Sequence, residues 1–126
     1  MLVVDDERAI REITRGTLES CGYRVLTAKD GTEAVALYAQ HQQNIRGVIT
    51  DMSMPFLDGP ATIRALQKVN AAVKILAVSG LAENPGPLDA AHPGSVRFLQ
   101  KPYTAEELVR TLHGMLHEPV LGQEQV

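Results

Sequence analysis

Short apolar runs alternate with amphipathic stretches along the chain. The runs are brief, rich in β-branched residues and bounded by polar or turn-forming residues, which is typical of strands buried on both faces of a parallel sheet. They occupy residues 2–4, 23–28, 48–50, 73–78 and 96–100. The pattern therefore predicts five strands.

Helical patterns fill most of the intervals between these runs. Apolar residues recur at helical spacing after the first run, at Ile10, Ile13, Thr17 and Leu18, and Gly22 follows as a stop signal. Residues 30–33 (DGTE) and 104–107 (TAEE) have the spacing of capping boxes, and Pro60 suits the first turn of a helix. The predicted helices cover residues 8–20, 34–40 and 60–69, with a last helix carrying the stripe Leu108, Leu112 and Leu116.

Strands that alternate with helices predict an α/β fold, a five-stranded parallel sheet covered on both faces as a three-layer α/β/α sandwich. A chain of 126 residues fits one domain, which we expect to span residues 1–118, with a flexible tail at 119–126. Residues 83–95 are rich in proline and glycine, so at most a short helix is expected there, near residues 88–92. Because an apolar run starts directly after Met1, we also expect the sequence to be a segment of a longer chain.

The composition of the chain limits which binding partners and which cellular compartment can be expected for it. The formal net charge of -3 argues against direct nucleic-acid binding, which usually needs a basic face. The one cysteine, Cys21, permits no internal disulfide, and a buried position is expected for it. No apolar run approaches the ~18 residues of a membrane span, and no signal peptide is visible. These features predict a cytoplasmic domain without a membrane span.

Polar side chains follow four of the five predicted strands. Asp5 and Asp6 follow the first, Asp51 the third, Ser79 the fourth and Lys101 the fifth. Because ligands of an open parallel sheet bind beyond the carboxyl ends of its strands, we expect these side chains to converge at one edge.

Three converging carboxylates predict a site for a divalent cation. Mg²⁺ prefers oxygen ligands and relieves carboxylate repulsion, so Asp6 and Asp51 are candidate direct ligands, with Asp5 acting through water and the backbone carbonyl of Ser53 completing the set. A carboxylate can attack phosphorus only if the charge on the phosphoryl oxygens is neutralised. The cation and Lys101 could do this, and the Ser79 hydroxyl could donate a hydrogen bond to a phosphoryl oxygen.

Five segments together resemble the receiver domain of two-component response regulators. The order, spacing and strand-end placement of these segments agree with that family over about residues 1–118. They are residues 3–7 (VVDDE), 50–55 (TDMSMP), 58–59 (DG), 79–80 (SG) and 101–103 (KPY). The local sequences around Asp51 and Ser79 also resemble those of receivers fused to hybrid sensor histidine kinases.

The resemblance implies a fold, a reaction and a set of roles. The fold would be flavodoxin-like, the CheY-like (βα)5 arrangement with strand order 2-1-3-4-5. Asp51 would accept a phosphoryl group from a phosphohistidine of a histidine kinase or histidine phosphotransfer protein, and Asp5, Asp6 and Asp51 would hold Mg²⁺. Lys101 would pair with Asp51, the bond from Lys101 to Pro102 would be cis, and Ser79 and Phe98 would form the switch.

The family's output face, which also serves effectors and dimer partners, consists of its fourth helix, fifth strand and fifth helix. Two features depart from the family pattern. The fourth-helix segment is unusually rich in proline and glycine, and positions that tune the phosphoryl lifetime carry Ser53 and Leu81.

Three other functions remain open from the residues. A phosphatase of the haloacid-dehalogenase type also uses a strand-end aspartate, but it needs a second aspartate two residues on, where this chain has Ser53. A non-phosphorylated interaction module of the same fold would normally lack the acidic pair, the acceptor or the lysine, all of which are present. A flavodoxin-like cofactor binder would need a phosphate loop after the first strand. His113 and His117 are four apart on a helix, a spacing that can hold a metal, but no third ligand is evident.

Overall fold

A computed structural model describes residues 1–52, 59–79 and 96–117. Within these ranges the chain forms five strands and four helices, labelled here in chain order. The predicted short helix near 88–92, the tail 119–126 and the position of Ser53 lie outside the described residues. The elements are β1 (Leu2–Val4), α1 (Arg8–Ser20), β2 (Leu26–Ala28), α2 (Gly31–His41), β3 (Val48–Asp51), α3 (Gly59–Val69), β4 (Ile75–Ser79), β5 (Val96–Gln100) and α4 (Ala105–Leu116).

The five strands form one parallel sheet in the order β2-β1-β3-β4-β5, which confirms the predicted topology. β1 pairs with β2 on one side and with β3 on the other, so that Val3 lies beside both Thr27 and Ile49. The strand order reverses at this point. The ends of β1 and β3 therefore flank the crevice in which open α/β sheets bind their ligands.

Side chains alternate between the two faces of the sheet, and each face is covered by a pair of helices. The β1 residues Leu2 and Val4 pack on the face covered by α2 and α3, whereas Val3 packs on the face covered by α1 and α4. The same alternation runs through β3 and β4, where every residue is buried. The three-layer sandwich predicted from the sequence is confirmed.

Two of the helices begin with the side-chain caps that the sequence predicts. At α4 both bonds of the capping box are present, since the Thr104 hydroxyl accepts from the Glu107 amide at 3.0 Å and the Glu107 carboxylate accepts from the Thr104 amide at 2.8 Å. At α2 the Asp30 carboxylate accepts from the Glu33 amide at 2.8 Å. The Glu33 carboxylate, however, accepts from the amide of Lys29, one residue before the expected position.

Two expectations about α1 and β2 were wrong, and the apolar stripe of α1 is only partly buried. The strand predicted at residues 23–28 covers only Leu26–Ala28, because β1 supplies pairing partners from Leu2 onward and Leu2 lies beside Leu26. The face of α1 that meets the sheet carries Thr14 and Leu18, while Ile13 is 66% exposed. Cys21, expected to be buried, is exposed at the end of the same helix.

Candidate functional site

The candidate site lies at the carboxyl edge of the sheet, where main-chain hydrogen bonds continue past the strand ends. These bonds fix the backbone of the residues that follow or end each strand. They join the amide of Asp5 to the carbonyl of Ala28 at 3.2 Å, that of Met52 to Val78 at 2.9 Å and that of Lys101 to Ser79 at 2.8 Å.

Three carboxylates meet at this edge. Asp51 is the last residue of β3, and Asp5 and Asp6 directly follow β1. One oxygen from each carboxylate lies within 4.8 Å of the oxygens of the other two. Asp5 and Asp51 are each only 7% exposed, whereas Asp6 is exposed. Three oxygen donors converging from a buried floor and an open rim are a suitable donor set for a hard divalent cation.

Lys101 supplies a positive charge beside this cluster. Its Nζ lies 3.5 Å from Oδ1 of Asp51, and its side chain is 40% exposed while that of Asp51 is 8% exposed. The ammonium group therefore reaches the buried carboxylate from the solvent side. The peptide bond between Lys101 and Pro102 is cis, as the resemblance implies.

Crowding of charge shifts the pKa values of the cluster. Burial raises the pKa of Asp5 to about 6; the hydrogen bond from the Glu7 amide opposes the shift, and the neighbouring Asp51 carboxylate adds to it. Burial disfavours the charged form of Lys101, but Asp51 and Asp5 outweigh burial and raise the pKa of Lys101. The protein without a bound cation thus holds more negative charge here than the lysine balances.

The turn between β1 and α1 is held by a residue that the sequence analysis did not single out. Nη1 of Arg11 donates to the backbone carbonyl of Asp5 at 2.8 Å. The Asp5 carboxylate in turn accepts from the amide of Glu7 at 2.9 Å. A basic residue on the second turn of a helix that follows an acidic strand end was the available signal for this contact.

An apolar groove adjoins the site between α1 and α4. Glu7 and Lys101 border it at the end near the carboxylates, and its walls include Ile13 and Tyr103 within a cavity of about 370 Å³. The groove continues along the two helices into a second cavity of about 520 Å³ that reaches Cys21. The sequence did not indicate this surface, because the apolar spacing of α1 identifies a stripe but not the part of it that stays uncovered.

The remaining predicted site residues are partly described. Ser79 ends β4 and is 5% exposed, and its strand lies between β3 and β5. Phe98 lies on β5 and is 36% exposed. The roles assigned to these two residues remain predictions, as does the carbonyl of Ser53.

His113 on α4 and His117, the residue after that helix, belong to no metal cluster within the described ranges. His113 and His117 are exposed, and their ring centroids lie 4.1 Å apart. Among the described residues, the group of three or more potential ligands that converges is the set Asp5, Asp6 and Asp51.

Comparison with known proteins gives a consistent family match. Residues 1–113 match the family model described as the response regulator receiver domain. The chain is 37% identical over 119 residues to the response regulator MprA of Mycobacterium sp. (strain KMS), covering 92% of this chain and 50% of that protein. It is 33% identical over 118 residues to the sensor kinase CckA of Brucella abortus (strain 2308), covering 94% of this chain and 12% of that protein.

The described fold is also close to solved structures. A response regulator receiver domain protein from Clostridium thermocellum superposes with a TM-score of 0.82 at 30% identity, covering 91% of both chains. The chain thus spans half or less of the two curated relatives but nearly the full length of this solved structure. Within the described residues, no helix is both long and apolar enough to cross a membrane.

Proposed function

The chain belongs to the family of response regulator receiver domains, and on this premise we propose that Asp51 accepts a phosphoryl group from a protein phosphohistidine. The observation that carries the proposal is the convergence of Asp51 with Asp5, Asp6 and the Lys101 ammonium at the carboxyl edge of the sheet. The oxygens that gather there suit Mg²⁺, with Asp5, Asp6 and Asp51 as its protein ligands. When bound, Mg²⁺ would neutralise charge on the transferring phosphoryl oxygens.

Asp51, Lys101 and Ser79 have different roles in the proposed transfer. An oxygen of the Asp51 carboxylate forms the new bond to phosphorus while the bond from phosphorus to the donor imidazole nitrogen breaks. The imidazole leaves with the electron pair of that bond. Lys101, already paired with Asp51, remains close enough to hold a phosphoryl oxygen after the transfer, and Ser79 would donate a hydrogen bond from the neighbouring strand.

The phosphoryl group would then shift the surface of the domain. It adds charge and strong acceptor oxygens at a buried carboxylate, so side chains that gain contacts with it change their populations. Ser79 and Phe98 are the proposed switch residues. Phe98 is 36% exposed, so an inward movement of its ring would bury apolar surface.

Because the Asp51 carboxylate is nearly buried, a protein donor must bring its phosphohistidine to the carboxyl edge of the sheet, where Lys101 meets Asp51. We propose that a histidine kinase or histidine phosphotransfer protein docks on the groove between α1 and α4. Lys101 lines both the groove and the site, so a donor seated there can reach Asp51. Ile13 offers the donor a large exposed apolar side chain.

The proposed transfer is the same whether the domain is part of a response regulator or of a sensor kinase, the two kinds of protein among its relatives. A receiver segment of a hybrid histidine kinase is therefore included in the proposal. The cytoplasm stays the predicted compartment.

The proposal is tested with a small phosphodonor. Acetyl phosphate and Mg²⁺ are expected to add one phosphoryl group to the wild type, measured by intact-mass spectrometry, and none to Asp51→Asn. The asparagine is close in size to the aspartate but cannot form the acyl phosphate. Equal labelling of the two proteins, with circular dichroism showing both folded, would refute the assignment of Asp51.

A further inference from the structure

The turn that carries Asp5 and Asp6 is fastened from α1 by one arginine. Nη1 of Arg11 donates to the carbonyl oxygen of Asp5 at 2.8 Å, in a partly buried contact that spans six residues of sequence. The backbone amide of Arg11 donates to the Glu7 carbonyl at 3.0 Å. The second bond is the ordinary first bond of the helix, so the tie that depends on the arginine side chain is the one to Asp5.

The start of α1 differs from the starts of α2 and α4. The N-cap residues of those helices are Asp30 and Thr104, and the side chain of each accepts a hydrogen bond from a backbone amide. The N-cap residue of α1 is Glu7, and its side chain makes no capping hydrogen bond. The contact from Arg11 is thus one of two side-chain bonds that join the start of α1 to the end of β1, the other being the bond from the Glu7 amide to the Asp5 carboxylate.

The position of this turn matters because it holds like charges together. Oxygens of Asp5, Asp6 and Asp51 lie within 4.8 Å of one another. Repulsion among carboxylates at this spacing favours any backbone movement that separates them. Asp6 lies between two tethered residues, so its exposed carboxylate keeps its direction only while the backbone of Asp5 and Glu7 is held.

The arginine contacts the backbone, whereas the lysine contacts a carboxylate. Lys101 pairs with the Asp51 side chain, while the guanidinium of Arg11 is bonded to a carbonyl oxygen. A charged donor makes such a bond stronger than a neutral one. The contribution of Arg11 is therefore geometric, and it acts on the cation site through the peptide group of Asp5.

We propose that Arg11 is a positioning residue that holds the turn between β1 and α1 so that Asp5 and Asp6 present their carboxylates to the cation. The inference rests on the proposed function, since it takes the carboxylate cluster to be a Mg²⁺ site. Residues that orient metal ligands typically change metal affinity by about 10–100-fold when replaced.

The test compares Mg²⁺ affinity in the wild type, Arg11→Gln and Arg15→Gln by isothermal titration calorimetry. Arg15 is the matched control, since it lies one turn further along α1, is exposed and pairs only with the surface carboxylates Glu12 and Glu19 in the described contacts. Arg11→Gln is expected to weaken Mg²⁺ binding by about tenfold or more. Arg15→Gln is expected to keep the wild-type affinity.

A purely structural role would give a different result. It would lower the thermal midpoint of metal-free Arg11→Gln and leave its Mg²⁺ affinity unchanged, and that outcome overturns the proposal. An equal loss of affinity in Arg15→Gln also overturns it, because the effect would then not depend on the contact with Asp5. Removal of a positive charge by itself would strengthen the binding of a cation rather than weaken it. Failure of the wild type to bind Mg²⁺ would instead refute the proposed function.

A milder variant keeps the test usable if Arg11→Gln does not fold. Arg11→Lys retains the charge but has a shorter reach and lacks the planar guanidinium. An intermediate Mg²⁺ affinity, together with faster hydrogen exchange at the Glu7 amide in the metal-free protein, supports the proposal. Wild-type affinity in Arg11→Lys with that amide exchanging faster overturns it.

Discussion

At the scale of single residues, Asp5 shows how burial and charge act together at this site. Its backbone amide, its carbonyl and its carboxylate are all hydrogen-bonded, to Ala28, Arg11 and Glu7 respectively. The carboxyl group is nevertheless costly to ionise, because it is buried beside Asp51. Hydrogen bonds hold the position of Asp5, but no positive group fully balances the charge of its carboxylate.

The metal-free protein is expected to lose stability as the pH rises through the range in which Asp5 ionises. The pKa of Asp5 is about 6 in the folded chain and is raised from 3.8, so between these values the folded state binds more protons than the unfolded state. Stability contributed by the protonated group is complete below the lower value and is lost as the pH rises through the upper one. After allowance for solvent screening, the loss amounts to about 1–2 kcal/mol.

Urea unfolding with a chelator present, at pH values from about 4 to 7, measures this effect. Asp5→Asn keeps an oxygen that can accept from the Glu7 amide but does not titrate. Its free energy of unfolding should fall less than that of the wild type over the same range. Identical slopes for the two proteins would contradict the raised pKa of Asp5.

At the scale of secondary structure, α1 makes different contacts on three of its faces. Thr14 and Leu18 face the sheet, Arg11 reaches back to the end of β1, and Ile13 faces the groove. The helix therefore links the core, the carboxylate turn and the proposed docking surface. A substitution on each face of α1 should affect a different property of the domain.

Ile13→Glu is expected to slow phosphoryl transfer from a protein donor by about tenfold, the effect of losing one important interface side chain. Transfer from acetyl phosphate should stay at the wild-type rate, since a small donor does not use the groove. The measurement is the rate of phosphorylation by a histidine kinase or phosphotransfer protein that phosphorylates the wild type.

Leu26→Glu is the matched control for this substitution. Leu26 is 39% exposed and begins β2, at the opposite end of the strands from the carboxylates. Equal slowing by the two variants, or slowing of acetyl phosphate transfer by Ile13→Glu, would argue against docking on the groove.

At the scale of the whole molecule, the site joins parts of the chain that are distant in sequence. Asp6 follows β1, Asp51 ends β3 and Lys101 follows β5, so a ligand held there connects three strands of one sheet. The connection runs through the strand ends, while the two apolar clusters hold the faces of the sheet. Ligand binding is therefore expected to stabilise the domain as a unit.

Mg²⁺ should raise the thermal midpoint of the wild type, because a ligand that binds only the folded state stabilises it by about 2.7 kcal/mol at a hundredfold excess over its dissociation constant. Asp6→Asn should show a much smaller Mg²⁺-dependent shift in differential scanning calorimetry. Asp6 is exposed, so its replacement leaves the metal-free fold intact. The same shift in both proteins would count against a Mg²⁺ site at the cluster.

The sequence by itself determined the order of the elements, the three layers and the residues at the strand ends. Strand and helix type follow from local apolar periodicity, and a residue that follows a buried parallel strand must lie at the carboxyl edge of the sheet. The sequence alone therefore predicts that Asp5, Asp6, Asp51 and Lys101 lie together. Their roles in catalysis remain predictions.

Tertiary structure decided the rotation of α1, the exposure of Ile13 and Cys21, and the contact from Arg11 to Asp5. The apolar period of a helix identifies a stripe, but the neighbouring helix decides which side of that stripe is covered, and α4 leaves Ile13 outside. The raised pKa of Asp5 likewise depends on burial and on the distance to Asp51, which are set only when separate strands meet.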